Sequence, residues 1–340
     1  MPSHLNSILR KIKSYVIRTL TRSLLLFCRF LIVKNGPRIS ISLDSEKLED
    51  GLGAQIQRQF SLKALAHYLR IDFSPTPIKQ IAIHPLDNFT DVLLMQNFLN
   101  EVNELFHLKV QSESDNDSLV IVGNLTIWKL FKIVVRARKT KTNIHLRVLE
   151  AYSLVDANPQ IYVDSLRDFH LKAESISNSH QVFKSDICIH YRQGAGGNAV
   201  YPGQKISREL NPQYFIDLLQ RLDTNGKSII VFTDAPVHDL EFKPEETQEH
   251  LWLGTPGYEN GKVRIQGLDL KNIFAAAGFD VRVVSGGDLI TAILSFIESR
   301  TLLMSRSSLS YVAALLNKDG DVYYPPNFWH PPLNRWLRAK

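Results

Sequence analysis

Apolar positions along the chain fall into two kinds of pattern. At the start, Leu5, Ile8, Leu9, Ile12, Val16 and Leu20 recur every three or four residues, the spacing of a helical stripe, with basic residues mostly off it. The run 24–33 that follows is apolar apart from Arg29. Two readings of this leader stay open. A basic amphipathic helix can lie in a membrane interface, drawn by anionic lipid. It can equally pack on the body and be followed by a buried first strand.

Beyond the leader the period changes. Residues 38–43 alternate with period two and predict a strand, and 46–53 is a polar loop with glycines at 51 and 53. A helix over 55–69 follows, with Ile56, Phe60, Ala64 and Tyr68 one turn apart. Short apolar runs predict strands at 81–83, 108–110 and 119–122, with a turn over 111–117, a helix over 125–137 and a loop at 139–141. The Ser-rich stretch 171–184 has no period and reads as a connection between domains. After it, strands at 186–190, 228–233, 280–284, 301–304 and 322–324 alternate with helices at 213–222, 268–277, 289–299 and 309–316. That alternation predicts an α/β fold with a parallel, doubly wound sheet. Ligands of such sheets bind at the carboxyl ends of the strands, near the reversal of strand order. The loops after His190, Thr233, Ser285 and Met304 are therefore the expected site.

Composition narrows the class. With 340 residues, 44% hydrophobic and 22% charged, the chain has the balance of a globular protein of about two domains. No apolar run approaches the roughly 20 residues of a spanning helix, which excludes a polytopic membrane protein. The net charge of +6 is uneven: residues 1–38 carry eight basic and no acidic groups, and the other 302 carry 32 basic and 34 acidic. A nucleic-acid binder would spread a basic face over its fold, so no nucleic-acid partner is expected. Cys28 and Cys188 lack metal or redox spacing and read as isolated thiols of a reducing compartment. No small-residue cleavage site follows the apolar run, so no signal peptide is expected, and the N-x-[ST] matches at Asn88, Asn116 and Asn124 carry no weight without secretion.

Four clusters offer chemistry. Gly51-Leu-Gly-Ala-Gln55 opens a helix, where free N–H groups and the dipole suit an anion; a tight strand-to-helix turn is the plainer reading. His190-Tyr-Arg-Gln-Gly-Ala-Gly-Gly197 ends a strand. Arg192 can grip a phosphate bidentately, and glycines from Gly194 onward can form a nest, unless His190 is a core histidine and the glycines a lid. Asp234, after Thr233, can bind a sugar hydroxyl or base amine, or simply cap a turn. Ser305-Arg-Ser-Ser-Leu-Ser310 precedes a helix and suits phosphate, or plain capping. No His/Cys/Asp/Glu set has metal spacing, and no Gly-x-Ser-x-Gly or Walker sequence occurs.

These residues in this order resemble the fucosyltransferase superfamily that includes the α-1,2- and α-1,6-fucosyltransferases. The α-1,2 group carries Gly-x-Gly-Asn-Gln, His-x-Arg-Arg-Gly-Asp, a strand ending in Thr/Ser-Asp, and Ser-x-Ser-Ser-Phe-Ser. Here these read Gly51–Gln55 with Ala54 for Asn, His190–Ala195, Phe232-Thr-Asp234, and Ser305–Ser310 followed by Ala-Ala-Leu-Leu, spanning about residues 39–326. The resemblance implies two Rossmann-like domains facing a cleft, the GT-B arrangement. It implies an acceptor-side domain over 39–175, a nucleotide-sugar domain over 176–326, and a tail over 327–340. It implies an inverting, metal-independent transfer from GDP-fucose to a glycan hydroxyl, with no cofactor beyond the donor. Arg192 matches the arginine on the donor diphosphate, His190 its neighbour, Ser307 and Ser308 the phosphate-side serines, and Asp234 the nucleotide-side aspartate.

Two departures remove charge from this pattern: Gln193 replaces the second arginine and Ala195 the motif aspartate. They leave open a different nucleotide sugar, a rebuilt loop over 194–203, or a nucleotide- or sugar-binding relic without activity. Asp288 and Glu298 are candidate bases by chemistry alone, with a helix-surface role as the default. The tail Asn327-Phe-Trp-His-Pro-Pro332 offers aromatic faces for a sugar ring, though a strap packed on the body is the simpler expectation. The expected location is cytoplasmic, or the cytoplasmic face of a membrane through the basic leader, rather than a Golgi type II anchor.

Overall fold

The computed structural model describes residues 2–34, 36–45, 50–81, 92–109, 117–171, 180–193, 198–201, 204–207, 209–243, 258–286 and 288–338. The chain divides into two compact units, one of residues 1–50, 54–81 and 99–175, the other of residues 51–53, 82–98 and 176–340. The leader thus belongs to the first unit, and the tail to the second.

The first unit opens with α1 (Pro2–Val33), a single helix through the apolar run in which a buried strand was one expectation. Its strands are β1 (Ile39–Leu43), β2 (Asp72–Ser74), β3 (Ser118–Asn124) and β4 (Ile144–Glu150), in the order β2-β1-β4-β3 and parallel throughout. The helices are α2 (Leu52–Leu69, from residue 54 on), α3 (Val92–Leu105, from residue 99 on, its first half being assigned to the second unit), α4 (Ile127–Thr140), α5 (Tyr152–Val155) and α6 (Gln160–Leu166). Every residue of β1 is buried, as an inner strand covered on both faces requires. Thr126 caps α4, and Lys141 ends it in the left-handed conformation.

Sequence patterning missed β2, α3, β4, α5 and α6. β2 is only three residues long and carries Asp72 and Ser74, so it has no apolar alternation. The expected strand at 108–110 is absent at Leu108 and Lys109, where the Leu108 N–H instead bonds the Asn103 carbonyl at the end of α3. Most of the expected strand at 81–83, the turn at 111–117 and the connection at 171–184 lie outside the described residues.

The second unit follows its sequence pattern closely. Its main strands are β5 (Ile187–Tyr191), β8 (Ile229–Thr233), β12 (Arg282–Ser285), β13 (Thr301–Leu303), β14 (Asp321–Tyr324) and β15 (Leu337–Arg338). They form one parallel sheet ordered β12-β8-β5-β13-β14-β15. α7 (Pro212–Leu219), α8 (Leu270–Ala276), α9 (Leu289–Glu298) and α10 (Ser308–Leu316) connect them. Asn211, Asp269, Asp288 and Ser307 cap these four helices. Two small antiparallel pieces were not foreseen: the pair β6 (Asn198–Tyr201) and β7 (Gln204–Ser207), and the set β9 (Leu240–Phe242), β10 (Tyr258–Glu259) and β11 (Lys262–Ile265). Phe215 of α7 and Phe274 of α8 are fully buried with Ile189, Val231 and Leu303 of the sheet in one core. Each such side chain contributes about 1.5–3 kcal/mol on leaving water.

Candidate functional site

In the second sheet the chain runs outward from β5 to β8 to β12, then returns to place β13 on the other side of β5. The strand order therefore reverses between β5 and β13, the place where doubly wound sheets open a crevice. Two sequence clusters meet there. His190 Nδ1 on β5 lies 3.0 Å from Oγ of Ser305, just past β13. The His190 ring packs against Phe296 at 5.1 Å, and only 5% of the residue is exposed.

The His190 pKa is lowered to about 3, chiefly by burial, with the pull of Asp234 raising it and the nearby Arg192 lowering it. A neutral, enclosed imidazole is a poor charge partner for phosphate. His190, expected among the catalytic groups, is placed as a brace for Ser305 beneath the strand ends.

Arg192 and Gln193 follow β5. Arg192 Nη1 is 3.6 Å from Asp234 Oδ2, and a quarter of the Arg192 side chain stays exposed. That separation is an ion pair too long for a bidentate hydrogen bond. The other Asp234 oxygen accepts the Gln193 backbone N–H at 2.8 Å. Asp234 thus holds the start of the loop, a backbone role of the capping kind its position after β8 allowed. The Gln193 amide donates to the Gln266 carbonyl at 2.7 Å. Ser285 Oγ donates to the Ala235 carbonyl at 2.8 Å and Thr233 Oγ1 accepts the Ala235 N–H at 2.9 Å, so the ends of β8 and β12 are stitched together. Gly194 and Ala195 lie outside the described residues.

The serine cluster separates into internal and outward members. Ser305 and Ser310 are fully buried, and Ser310 Oγ donates to the carbonyls of Ser305 and Ser307 at 3.1 Å each. Ser307 Oγ caps α10 by accepting the Leu309 N–H at 3.2 Å, and Ser308 in the first turn is half-buried. Arg306 was overlooked because it occupies the variable position of the motif. It stands one residue past Ser305, its Nε donating to the Pro326 carbonyl at 2.9 Å, and its pKa is lowered by burial. Its place directly after a strand end was the available signal.

The glycine turn is resolved residue by residue. Gly51–Gly53 belong with the second unit. A Cβ at Gly53 would stand 2.6 Å from Leu309 Cα, so glycine there admits the backbone at the start of α10. A Cβ at Gly51 would meet nothing. Gln55 is buried and donates to the Asp50 carbonyl at 2.8 Å and the Gln80 carbonyl at 2.7 Å, so its amide ties the chain rather than facing a ligand.

The two candidate bases stand at the two ends of α9. Asp288 caps α9, accepting from the N–H groups of Ile290 and Thr291 and bonding His180 Nδ1. Glu298 is exposed at the helix end. Phe328 and His330 of the tail are buried against Tyr311, whose hydroxyl donates to the Pro331 carbonyl at 3.0 Å; this stretch is a strap. Cys28 and Cys188 are buried free thiols whose pKa values burial raises. Among the described residues no three His, Cys, Asp or Glu side chains gather as a metal site, and no helix is long and apolar enough to cross a membrane.

No protein-family model matches the chain, and no curated protein does. Among solved structures it is similar to E. coli heptosyltransferase WaaC with ADP-2-deoxy-2-fluoro heptose, at 10% identity and TM-score 0.36 over 89% of this chain and 93% of that one. The WaaC structure with ADP gives 10% identity and TM-score 0.36 over 88% and 92%. The E. coli ADP-heptose lps heptosyltransferase II gives 12% identity and TM-score 0.30 over 89% and 87%.

Proposed function

We propose that the protein is a GT-B glycosyltransferase that moves a sugar from a nucleoside-diphosphate sugar to a glycan hydroxyl. The observation that carries this reading is the contact between His190 and Ser305. It joins the β5 loop bearing Arg192 to the start of α10 at the reversal of strand order. One side of that junction supplies a guanidinium, the other a helix N-terminus with Ser307 and Ser308. Both suit a diphosphate.

In the reaction the acceptor oxygen attacks the anomeric carbon, and the bond from that carbon to the diphosphate breaks. The electron pair leaves with the diphosphate, the acceptor proton is lost to a base, and the configuration inverts. Arg192 and the N–H groups at the start of α10 stabilise the leaving group by charge. The motif order supports fucose and GDP as the donor's parts, with the first unit on the acceptor side and no cofactor beyond the donor. The basic leader supports attachment to a cytoplasmic membrane face.

One observation favours a second reading, a binding relic of the same fold. Gln193 stands where the superfamily carries an arginine, and its amide is engaged by the Gln266 carbonyl. Calorimetric titration with GDP, GDP-fucose, UDP and ADP separates these readings. Tight GDP binding with donor turnover supports the fucosyl reading. GDP binding without turnover in any acceptor screen supports the relic. Preference for UDP or ADP overturns the fucose assignment, and no binding to any of the four overturns the transferase reading.

A further inference from the structure

Helix α1 has two contrasting sides. Thr21, Leu25, Cys28 and Ile32, spaced four, three and four apart, are buried against the first unit. On the opposite side Ile12, Val16, Leu20, Phe27 and Phe30 are each about half exposed, from 46% to 57%. The leader therefore packs on the body with one face and still leaves an apolar face uncovered.

That face continues onto a second helix distant in sequence. α4 lies beside α1: Phe27 and Phe131 meet at 6.2 Å, and Arg138 Nη1 donates to the Leu31 carbonyl at 2.8 Å. Trp128 touches the Phe131 ring edge at 6.5 Å and is 61% exposed, with Val135 two turns further along the same side. Lys132, Arg136 and Lys139 are exposed around this aromatic ridge.

Charge completes the pattern. Residues 1–38 and 125–149 hold 15 basic and no acidic side chains, whereas the rest of the chain holds 25 basic against 34 acidic. Two acid-free segments, separated by some eighty residues, thus fold side by side within a body of the opposite sign. Aliphatic side chains make up most of the uncovered face, which suits acyl chains better than bases, and the tryptophan and lysines suit the headgroup level.

We propose that the joint face of α1 and α4 docks flat on an anionic lipid bilayer. Acyl chains receive Leu20 and Phe27, Trp128 sits at the headgroup level, and lipid phosphates receive Lys132 and Lys139. Neither helix spans the membrane; both lie in its interface. The surface extends beyond the leader itself, and it does not depend on the transferase reading.

The test uses the full chain in co-sedimentation with vesicles of phosphatidylcholine alone or with about 30% phosphatidylglycerol, a surface that attracts basic segments. Binding is expected only to the anionic vesicles, weakening as salt screens the charges. Trp128→Glu and the double variant Lys132→Glu/Lys139→Glu should each weaken it about tenfold or more. Both change exposed positions, and unchanged circular dichroism establishes that they fold. Equal binding to neutral vesicles, no binding to either, or variants that bind like the parent would each overturn the proposal. So would self-association without lipid that Trp128→Glu abolishes, which assigns the face to a second copy. Binding of single-stranded RNA, without lipid binding, that Lys132→Glu/Lys139→Glu abolishes would assign the face to nucleic acid and overturn it as well.

Discussion

His190 and Ser305 are 115 residues apart in sequence and 3.0 Å apart in space, joined through Nδ1 and Oγ across the two strands between which the sheet reverses its order. Both are buried, so neither can replace the other's contact with water. Ser305→Ala should cost about 1–3 kcal/mol of stability, the penalty for a buried imidazole nitrogen left without its partner. Urea unfolding checks this. Ser308→Ala, at a half-buried position, should change stability by less than about 0.5 kcal/mol. The same variant should weaken nucleotide binding in calorimetry.

His190 also predicts a pH dependence. Its folded pKa, lowered by burial to about 3, lies below the ordinary value of about 6.5. The unfolded chain therefore takes up a proton that the folded chain refuses. The contribution is intact above pH of about 6.5 and is lost as pH falls from there toward 3. At pH 5 the loss from this one group is about 2 kcal/mol. Thermal melts between pH 7 and 5 should show a shallower decline in His190→Gln than in the parent. Parallel declines would refute the assignment.

Arg192 and Asp234 are held near each other but not locked, at 3.6 Å. Arg192→Ala should cost about 2–4 kcal/mol of transition-state stabilisation if the guanidinium meets the leaving diphosphate. Transfer or donor-hydrolysis rates measure it, and an unchanged rate refutes the role. Asp234→Asn should act differently. It keeps an acceptor for the Gln193 N–H but removes the charge opposite Arg192, so nucleotide affinity should fall less than in Arg192→Ala.

Gly53 and Gly51 look alike in sequence and differ in space. Gly53→Ala drives a methyl into the backbone at Leu309 and should destabilise by about 1–3 kcal/mol. Gly51→Ala meets open space and should be tolerated within about 0.5 kcal/mol. Melting temperatures of the two variants make the comparison direct.

The second unit was legible because its strands are short, continuous apolar runs between helices with clear caps. The strand at 229–233 and the helix at 308–316 needed only periodicity and turn residues to be found. The first unit was less legible where its elements are polar or short. Asp72 and Ser74 give β2 no alternation, whereas β4 does alternate Ile144, Leu146 and Val148 with His145 and Arg147, a period-two signal that was overlooked. His145 is accommodated there with Ser40 and Ser42 of β1 within hydrogen-bond reach of its two ring nitrogens, at 2.7 and 2.9 Å. No local pattern announces such a pairing.

The chain's local chemistry determined the element types of the second unit, the loops in which the candidate groups stand and the acid-free charge of the leader, because periodicity, caps and composition are properties of neighbouring residues. Tertiary structure alone decided what each group does. It turned His190 inward against Phe296, spent the Gln55 amide on two carbonyls and set Asp234 to hold the loop after β5. It also laid α4 beside α1 so that two basic, half-apolar helices share one face. Burial and partnership depend on residues brought together from distant parts of the chain, and no spacing within a segment encodes them.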